Sequence, residues 1–241
     1  MIYVGAGTSG RLGVIDAAEL LPTFGVGPET VRAIIAGGKS AMFRPVEGAE
    51  DNTESSRIEL SKMKLRSSDV VLGISASGRT PFVINALKYA KTCKATTVAI
   101  TANPNSLVYH YSDFVICPRT GAEVIAGSTR MKAGTAQKLV LNMISTVTMV
   151  KLGRVHGNLM VGLKPTSRKL RDRATRIVSV ETGLKPEAAN RKLKEAKMDV
   201  GVAILMAVGN LNYRAARELI ATTHGSLEKA IKLAKHHTKI A

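Results

Sequence analysis

The chain has 241 residues, a formal net charge of +17 and 45% hydrophobic residues, but only 4% aromatic residues and no tryptophan. This length permits one large α/β domain, or one domain with a small appendage, and the hydrophobic fraction is sufficient for a buried core. Two cysteines are too few for a disulfide framework, no leader-like segment precedes the first apolar run, and no apolar run is long enough to span a membrane. We therefore expect a soluble cytoplasmic protein with no membrane partner.

The positive charge is concentrated in the last third of the chain. Residues 1–150 contain 16 lysines and arginines against 11 acids, whereas residues 151–241 contain 19 against 7. Such an excess can attract nucleic acid or anionic membranes. The sequence has no zinc-ligand spacing, RNA-binding aromatic motif or clear recognition helix, so a solvated basic helical face is the favoured interpretation. We predict no specific nucleic-acid partner.

The first 150 residues alternate strand-like and helix-like segments, which predicts a parallel sheet with crossover helices. The predicted strands are 2–4, 31–36, 69–74, 95–101 and 113–117, and the predicted helices are 10–21, 51–64, 81–92 and 132–152. The last of these helices is apolar on several sides, which is typical of a central or interface helix. Pro81 falls at the first helical position, where its missing N–H has no intrahelical partner to lose.

Strand signals are absent after residue 163. Helical spacing and start signals at Pro186, Asp199, Asn212 and Ser226 predict helices over 167–181, 186–197, 199–208, 212–223 and 226–236. We predict a domain over residues 1–165 and a helical region over 166–241 that ends in a small UBA-like three-helix module.

Two turns rich in glycine and hydroxyl groups each follow a predicted strand and precede a predicted helix. We name residues 5–11 the first turn and residues 75–80 the second turn. Glycines allow close approach to an anion, and the first N–H groups of a helix are free to bind one. The hydroxyl groups of Thr8, Ser9, Ser75, Ser77 and Thr80 add neutral donors. Two such turns in one domain predict a site for a phosphate-bearing small molecule.

A dinucleotide site is the alternative for the first turn, because Gly5, Gly7 and Gly10 match G-x-G-x-x-G. That fold needs an acid near the end of the second strand to hold a ribose. The second predicted strand ends in Gly37-Gly38-Lys39 instead, and the serine-rich second turn suits a phosphomonoester better.

Acidic residues and one further loop complete the candidate site. Asp16 and Asp51 are interpreted as helix caps or dipole partners. The segments 47–52 and 121–135 follow predicted strand ends, where open α/β sheets place their ligands. The five histidines (His110, His156, His224, His236 and His237) lack metal-ligand spacing, so no metal is predicted. No Gly-x-Ser-x-Gly elbow with a plausible triad is present, which argues against a serine hydrolase.

Residues 5–13, 49–52, 76–81 and 127–138 closely resemble N-acetylmuramic acid 6-phosphate etherases, which belong to the SIS (sugar isomerase) superfamily and are related to the glucokinase regulatory protein. The run from Ser128 to Thr135 is the most specific of these segments. The resemblance implies an α/β fold with a SIS-type doubly wound parallel sheet flanked by helices. It also implies a homodimer. Family members normally carry a helical segment before the first strand that this chain lacks, which bears on dimer stability and activity.

The resemblance implies a carbon–oxygen lyase that cleaves the D-lactyl ether of N-acetylmuramate 6-phosphate by elimination and hydration. The products are N-acetylglucosamine 6-phosphate and D-lactate, formed in cell-wall recycling without metal or nucleotide cofactor. Glu19 is implied as proton donor and Glu50 as the second acid/base, which leaves open which of them deprotonates carbon. The implied substrate-binding residues are Thr8, Ser9, Ser75, Ser77, Arg79, Thr80, Glu123, Ser128 and Lys132.

Two other functions remain as hypotheses. The regulatory relatives bind sugar phosphates without catalysis, so a non-catalytic sugar-phosphate sensor shares this fold. An aldose–ketose isomerase of the same fold is the third hypothesis. The presence of both Glu19 and Glu50 favours an enzyme.

Overall fold

The computed structural model describes residues 1–238, with only the backbone of residues 236–238. Its sheet has five parallel strands in the order β2-β1-β3-β4-β5. The strands are β1 (Ile2–Gly5), β2 (Arg32–Ile35), β3 (Val70–Ile74), β4 (Thr96–Ile100) and β5 (Phe114–Ile116). The predicted parallel α/β fold is thus confirmed, and every strand end lies within one residue of its predicted position.

Four helices accompany the sheet: α1 (Gly7–Phe24), α2 (Thr53–Lys62), α3 (Pro81–Thr92) and α4 (Lys132–Lys151). Helix α3 matches its prediction at both ends, with Pro81 in the first helical turn. Helix α1 begins earlier than predicted because the Gly10 N–H donates to the Ala6 carbonyl at 3.2 Å, which closes a helical turn within the glycine run. It also continues through Pro22 to Phe24.

The two faces of the sheet are covered by different helices. A Cβ atom at Gly13 of α1 would lie 3.1 Å from Tyr3 Cβ and 3.2 Å from Ile74 Cδ1. On the opposite face, a Cβ atom at Gly73 would lie 2.8 Å from Val83 of α3. Because neighbouring residues of a strand point to opposite faces, these contacts place α1 and α3 on opposite sides, as in a doubly wound fold.

The strand order has a reversal point between β1 and β3. The chain leaves β1 through α1 to reach β2 on one side, and it leaves β3 through α3 to reach β4 on the other. Open α/β sheets bind ligands in the crevice at the carboxyl ends of strands at such a point. The fold therefore directs attention to the segments that follow β1 and β3.

Contacts group the chain into two compact units. The first unit comprises Met1–Ala18 and Pro28–Ile144, and the second comprises Glu19–Gly27 and Ser145–Ala241. The predicted division at residue 165 remains a prediction.

The second unit contains α5 (Arg168–Thr182), α6 (Pro186–Glu195), α7 (Val200–Val208), α8 (Tyr213–Thr222) and α9 (Leu227–Thr238). Helix α7 packs against the other four helices, and its buried side chains form the centre of their common core. The helix starts follow local chemistry, since Ser167, Asp199 and Asn212 each accept a hydrogen bond from a backbone N–H in the first turn. Within residues 1–238, no helix combines the length and apolar character that crossing a membrane requires.

Candidate functional site at the carboxyl ends of β1 and β3

The first and second turns leave neighbouring strands at the same edge of the sheet. Gly5, the last residue of β1, pairs in parallel register with Ile74, the last residue of β3. The two turns therefore start side by side at the reversal point of the strand order. Both belong to the first unit. This placement is the one that a ligand site in an open α/β sheet requires.

The first turn is shaped by close backbone contact. A Cβ atom at Gly10 would lie 2.7 Å from the Gly5 carbonyl oxygen, and one at Gly5 would lie 2.7 Å from the Gly10 nitrogen. Both positions therefore require glycine. Gly7 has a φ of +51° and begins α1, so the first N–H groups of the helix come directly after β1. These groups lack intrahelical acceptors and suit an anion.

The second turn is held by its own hydroxyl groups. The buried Ser75 Oγ lies 2.9 Å from Thr80 Oγ1 and 3.4 Å from Ser77 Oγ, and it accepts a hydrogen bond from the Gly78 N–H at 3.0 Å. The Arg79 N–H donates to Ser77 Oγ at 3.2 Å. The structure thus brings the predicted residues of this turn together, with Ser77 and Arg79 exposed.

The start of α4 lies against the first turn. A Cβ atom at Gly134 would lie 3.4 Å from Thr8 Cγ2, and Ser9 Oγ donates to Gln137 Oε1 at 2.9 Å. Gln137 is 1% exposed. The role of Gln137 was not predictable from local sequence, because its partner Ser9 lies 128 positions away in the chain.

Hydrogen bonds of Glu123 and Lys132 join the loop before α4 to the start of that helix. The Glu123 carboxylate accepts hydrogen bonds from the backbone N–H groups of Ala133 and Lys132, both at 2.9 Å. These two bonds lower the pKa of Glu123 below its usual value, with the Ala133 bond as the larger cause. The Lys132 amine donates to the Ala122 carbonyl at 2.8 Å, and the nearby Ser128 is half-buried, its N–H donating to the Ile125 carbonyl.

Glu50 lies beside the second turn through its backbone. Its carbonyl oxygen accepts a hydrogen bond from the Phe82 N–H at 3.0 Å, at the start of α3. Asn85 of α3 also donates to the Thr53 carbonyl at 2.6 Å. The Glu50 side chain is exposed. The interpretation of Asp51 as the cap of α2 is wrong. Asn52 occupies the cap position instead and accepts a hydrogen bond from the Ser55 N–H.

Asp16 was also interpreted as a helix cap or dipole partner, and the structure gives it a different role. It lies within α1 and is 6% exposed, where it accepts hydrogen bonds from the Tyr3 hydroxyl at 2.9 Å and the Asn142 amide at 2.7 Å. Burial and the neighbouring Asp16 carboxylate raise the pKa of Tyr3. Asp16 is thus a core residue joining β1, α1 and α4. Glu19 is exposed on α1 and belongs to the second unit.

Two supports of the second turn also escaped prediction. Thr101 Oγ1 donates to the Ala76 carbonyl and Asn103 Nδ2 to the Ser77 carbonyl, both at 3.2 Å. They follow β4, and only the pairing of β3 with β4 brings them to the turn. No signal in the residues around the second turn identifies them.

Within the described residues, the histidines, cysteines and acids do not gather into a metal-binding set. Over the part of the chain that the structure describes, no three or more His, Cys, Asp or Glu residues are placed to hold a metal ion. The side chains of His236 and His237 lie outside the described residues. The donors that converge at the ends of β1 and β3 are instead hydroxyl and amide groups, which suit a phosphate.

Two family models match the first 147 residues of the chain. The matching family models are the glucokinase regulatory protein N-terminal SIS domain, over residues 1–91, and the SIS domain, over residues 53–147. Among solved structures, the C-terminal domain of glucosamine-fructose-6-phosphate aminotransferase from Francisella tularensis is 18% identical, with a TM-score of 0.44 over 88% of this chain and 56% of that chain. That similarity is too low to bear on function.

Curated relatives match over almost the whole chain, and all three named below are called N-acetylmuramic acid 6-phosphate etherase. The relative from Caldanaerobacter subterraneus subsp. tengcongensis is 53% identical over 97% of this chain and 76% of its own length. The relative from Clostridium botulinum is 51% identical over 96% and 77%, and that from Lactobacillus gasseri is 49% identical over 96% and 78%. The chain therefore belongs to the N-acetylmuramic acid 6-phosphate etherase family.

Proposed function

We propose that this chain is an N-acetylmuramic acid 6-phosphate etherase, a carbon–oxygen lyase that releases D-lactate and leaves N-acetylglucosamine 6-phosphate. One observation carries the proposal beyond family membership. The segment with Glu50 is hydrogen-bonded to the start of α3, directly after the hydroxyl-rich second turn. This bond supports the proposal, because it holds the backbone of the proposed catalytic Glu50 beside the turn proposed to bind the 6-phosphate.

The phosphate would be bound chiefly by neutral donors. The first N–H groups of α1 have no intrahelical acceptor, and Thr8 and Ser9 supply hydroxyl groups in the same turn. Ser77 and Thr80 supply hydroxyl groups in the second turn, which starts beside the first. Arg79 is exposed, and its side chain makes no hydrogen bond or ion pair within residues 1–238. Its guanidinium is therefore available to pair with a phosphate dianion. Ser75 supports this arrangement from beneath, since its hydroxyl is bonded within the turn.

The two glutamates divide the proton transfers. In the opened sugar, a base takes the proton from C2, the carbon next to the C1 carbonyl, and an acid protonates the ether oxygen as its bond to C3 breaks. D-Lactate leaves, and water then adds across the resulting double bond to give the second product. Glu19 and Glu50 are the acid and base of this scheme.

Glu123, Ser128 and Lys132 would border the same site from the start of α4. The carboxylate of Glu123 is engaged by two backbone N–H groups, so its contribution is to fix the loop before α4. The Lys132 amine needs to leave the Ala122 carbonyl to reach a ligand anion such as the lactyl carboxylate.

The proposal is tested by measuring D-lactate release from N-acetylmuramate 6-phosphate with a coupled dehydrogenase assay. We expect Glu19→Gln and Glu50→Gln each to lower kcat by about 10²- to 10⁴-fold, the usual share of general acid–base catalysis. Glu47→Gln is the matched control, because it removes an exposed acid from the same segment as Glu50. Sugar-phosphate binding without lactate release would establish a sensor instead, and ketose formation would establish an isomerase.

We also propose that the protein acts as a homodimer through α4. Four of its apolar side chains recur at helical spacing and are between 49% and 58% exposed: Leu139, Met143, Val147 and Val150. A second copy would cover this stripe. Light scattering should give twice the mass of the 25.6 kDa chain, and Met143→Asp should give monomers. Lys138→Gln changes the charge of α4 by the same amount and should leave the dimer intact. A wild-type monomer would refute this arrangement.

A cytoplasmic location is proposed from the same family resemblance. The substrate is a sugar phosphate, which is made and consumed where phosphorylated metabolites are kept. Cys93 and Cys117 are both free thiols in the structure. Cell fractionation should find the protein with cytoplasmic markers, and recovery in a secreted fraction would contradict the proposal.

A further inference from the structure

Gln137 is a buried amide with only one of its two ends bonded. Its Oε1 atom accepts the Ser9 hydroxyl proton at 2.9 Å, whereas its Nε2 atom has no hydrogen-bond partner within the described residues 1–238. The side chain is 1% exposed. Buried N–H groups without acceptors are rare in folded proteins, so this arrangement calls for an explanation.

The orientation of this amide decides what Ser9 can do. When Oε1 faces Ser9, the serine gives its only proton to Gln137, and the hydroxyl can then only accept further hydrogen bonds. When the amide is reversed, Nε2 donates to Ser9 Oγ and the serine proton becomes available to an external anion.

We propose that Gln137 is a positioning residue that turns the Ser9 hydroxyl proton toward the phosphate of the substrate by reversing its amide. Bound phosphate favours the reversed orientation of the Gln137 amide over the other one, because only then does it gain a charge-assisted hydrogen bond from Ser9. This inference rests on the proposed sugar-phosphate ligand, and it assigns Gln137 no contact with that ligand.

The geometry of the surrounding turn makes the pair a fixed unit. Ser9 lies in the first turn of α1, which is held against Gly5 by backbone contact, and Gln137 is in the second turn of α4. The contact between Gly134 and Thr8 lies one helical turn before it. The Ser9 proton can rotate away from Gln137, but with the amide unreversed two acceptor oxygens would then face each other at 2.9 Å, so the amide must reverse as well.

The test is a double-substitution cycle measured by calorimetric binding of N-acetylglucosamine 6-phosphate, with N-acetylglucosamine as the unphosphorylated control. We expect Gln137→Met, which keeps the length but removes the amide, to weaken binding of the sugar phosphate by about 10-fold, the low end for one hydrogen bond to a charged group. Gln137→Glu should weaken it more, because a carboxylate holds the Ser9 proton and repels the phosphate. Gln137→Met should cost little in a Ser9→Ala background, because the proton it orients is gone.

A purely structural role gives a different result. Gln137→Met would then weaken binding by the same factor whether or not Ser9 is present, and that outcome overturns the inference. Because sugar-phosphate binding is measured without turnover, the experiment can refute the role of Gln137 and the etherase activity independently of each other. Coupled losses in binding with no lactate release by the wild type would refute the etherase activity alone. Lactate release by the wild type with uncoupled losses would refute the role of Gln137 alone.

Discussion

The first and second turns share the run Ser-Gly-Arg, at residues 9–11 and 77–79, yet they are built in different ways. In the first turn, backbone contact between Gly5 and Gly10 sets the shape and the starting N–H groups of α1 remain available. In the second turn, hydroxyl groups bond the backbone, and the Phe82 N–H is occupied by the Glu50 carbonyl. Similar sequence therefore gives one turn that offers free backbone N–H groups and one turn whose backbone is held by its own hydroxyl groups.

The arginines of the two turns show the opposite contrast. Arg11 Nε donates to the Ala41 carbonyl at 2.9 Å, so this side chain joins α1 to the segment after β2. Arg79 is exposed and makes no such bond over the described part of the chain. Equivalent positions in the two turns thus serve cohesion in one case and are available for binding in the other.

Gly10→Ala should have the largest effect and would test the backbone contact in the first turn. The new Cβ atom would lie 2.7 Å from the Gly5 carbonyl oxygen, which belongs to a central strand and cannot withdraw. We expect the free energy of unfolding to fall by about 3 kcal/mol, measured by denaturant titration.

Gly7→Ala is the matched control for that substitution. Nothing lies within 4 Å of its added Cβ atom, so only the positive φ of +51° opposes alanine, at a cost of about 1 kcal/mol. Equal losses for the two variants would show that the contact between Gly5 and Gly10 does not shape the turn.

Arg79→Gln should come next and would test the difference between the arginines. We expect KM for the phosphorylated substrate to rise about 10- to 100-fold, with the free energy of unfolding nearly unchanged, because the guanidinium is bonded only to ligand. Arg11→Gln should do the reverse, lowering stability by about 1 kcal/mol with little change in KM. Steady-state kinetics and denaturant titration of both variants measure this. A rise in KM for both would remove the proposed distinction.

Ser75→Ala should have a smaller effect and would test the hydroxyl network of the second turn. The buried Ser75 Oγ bonds to Thr80, to Ser77 and to the Gly78 N–H. Its removal should lower the free energy of unfolding by about 1–2 kcal/mol. Ser77→Ala, at an exposed position of the same turn, should change stability by less than about 0.5 kcal/mol. Thermal unfolding measures both, and a more harmful Ser77→Ala would contradict the network.

Asp113→Asn should have the smallest effect and gives a reference away from both turns. Asp113 accepts hydrogen bonds from the Lys91 amine and from the Thr97 N–H and hydroxyl. These bonds, led by that of Lys91, lower the pKa of Asp113 to about 2. A lowered pKa in the folded state contributes stability above the unfolded value, and that contribution is lost as the pH falls toward 2. Because the carboxylate is exposed, the contribution is small.

The measurement for this prediction is the free energy of unfolding of wild type and Asp113→Asn between pH 7 and pH 2. The wild type should be slightly more stable at pH 7, and the difference should shrink as the pH falls from about 4 to about 2. A difference that stays constant over this range would show that the charge of Asp113 is not its cause.

Local chemistry explains which features could be predicted from the sequence. Pro81, Asp199 and Asn212 predicted helix starts correctly, because caps act within one turn. Buried parallel strands form short apolar runs, so the sheet was also predictable. The two turns were found because glycine and hydroxyl residues are concentrated there.

Long-range contacts explain what the sequence could not predict. Asp16 was interpreted as a helix cap or dipole partner. Its role in the core was not predicted, because its partner Asn142 lies 126 residues away in the chain. The bond between Ser9 and Gln137 has the same character, and it carries the clearest unexplained polar atom near the site. The spacing of residues along the chain does not predict such distant pairs. Likeness between the two turns also concealed their different bonding, because identical residues can be satisfied by different neighbours.

The order of strands in the sheet has a consequence for how the chain folds during synthesis. The central strand β1 needs β2 on one side and β3 on the other, and its Ile2 pairs with Val71, 69 residues later. At translation rates of about 5–20 residues per second, β1 emerges several seconds before the strand that completes it. Its apolar edge is unpaired during that interval, and pairing over such a separation slows folding. The side of β1 that faces β3 can therefore pair only once β3 and the serines that follow it have been synthesised.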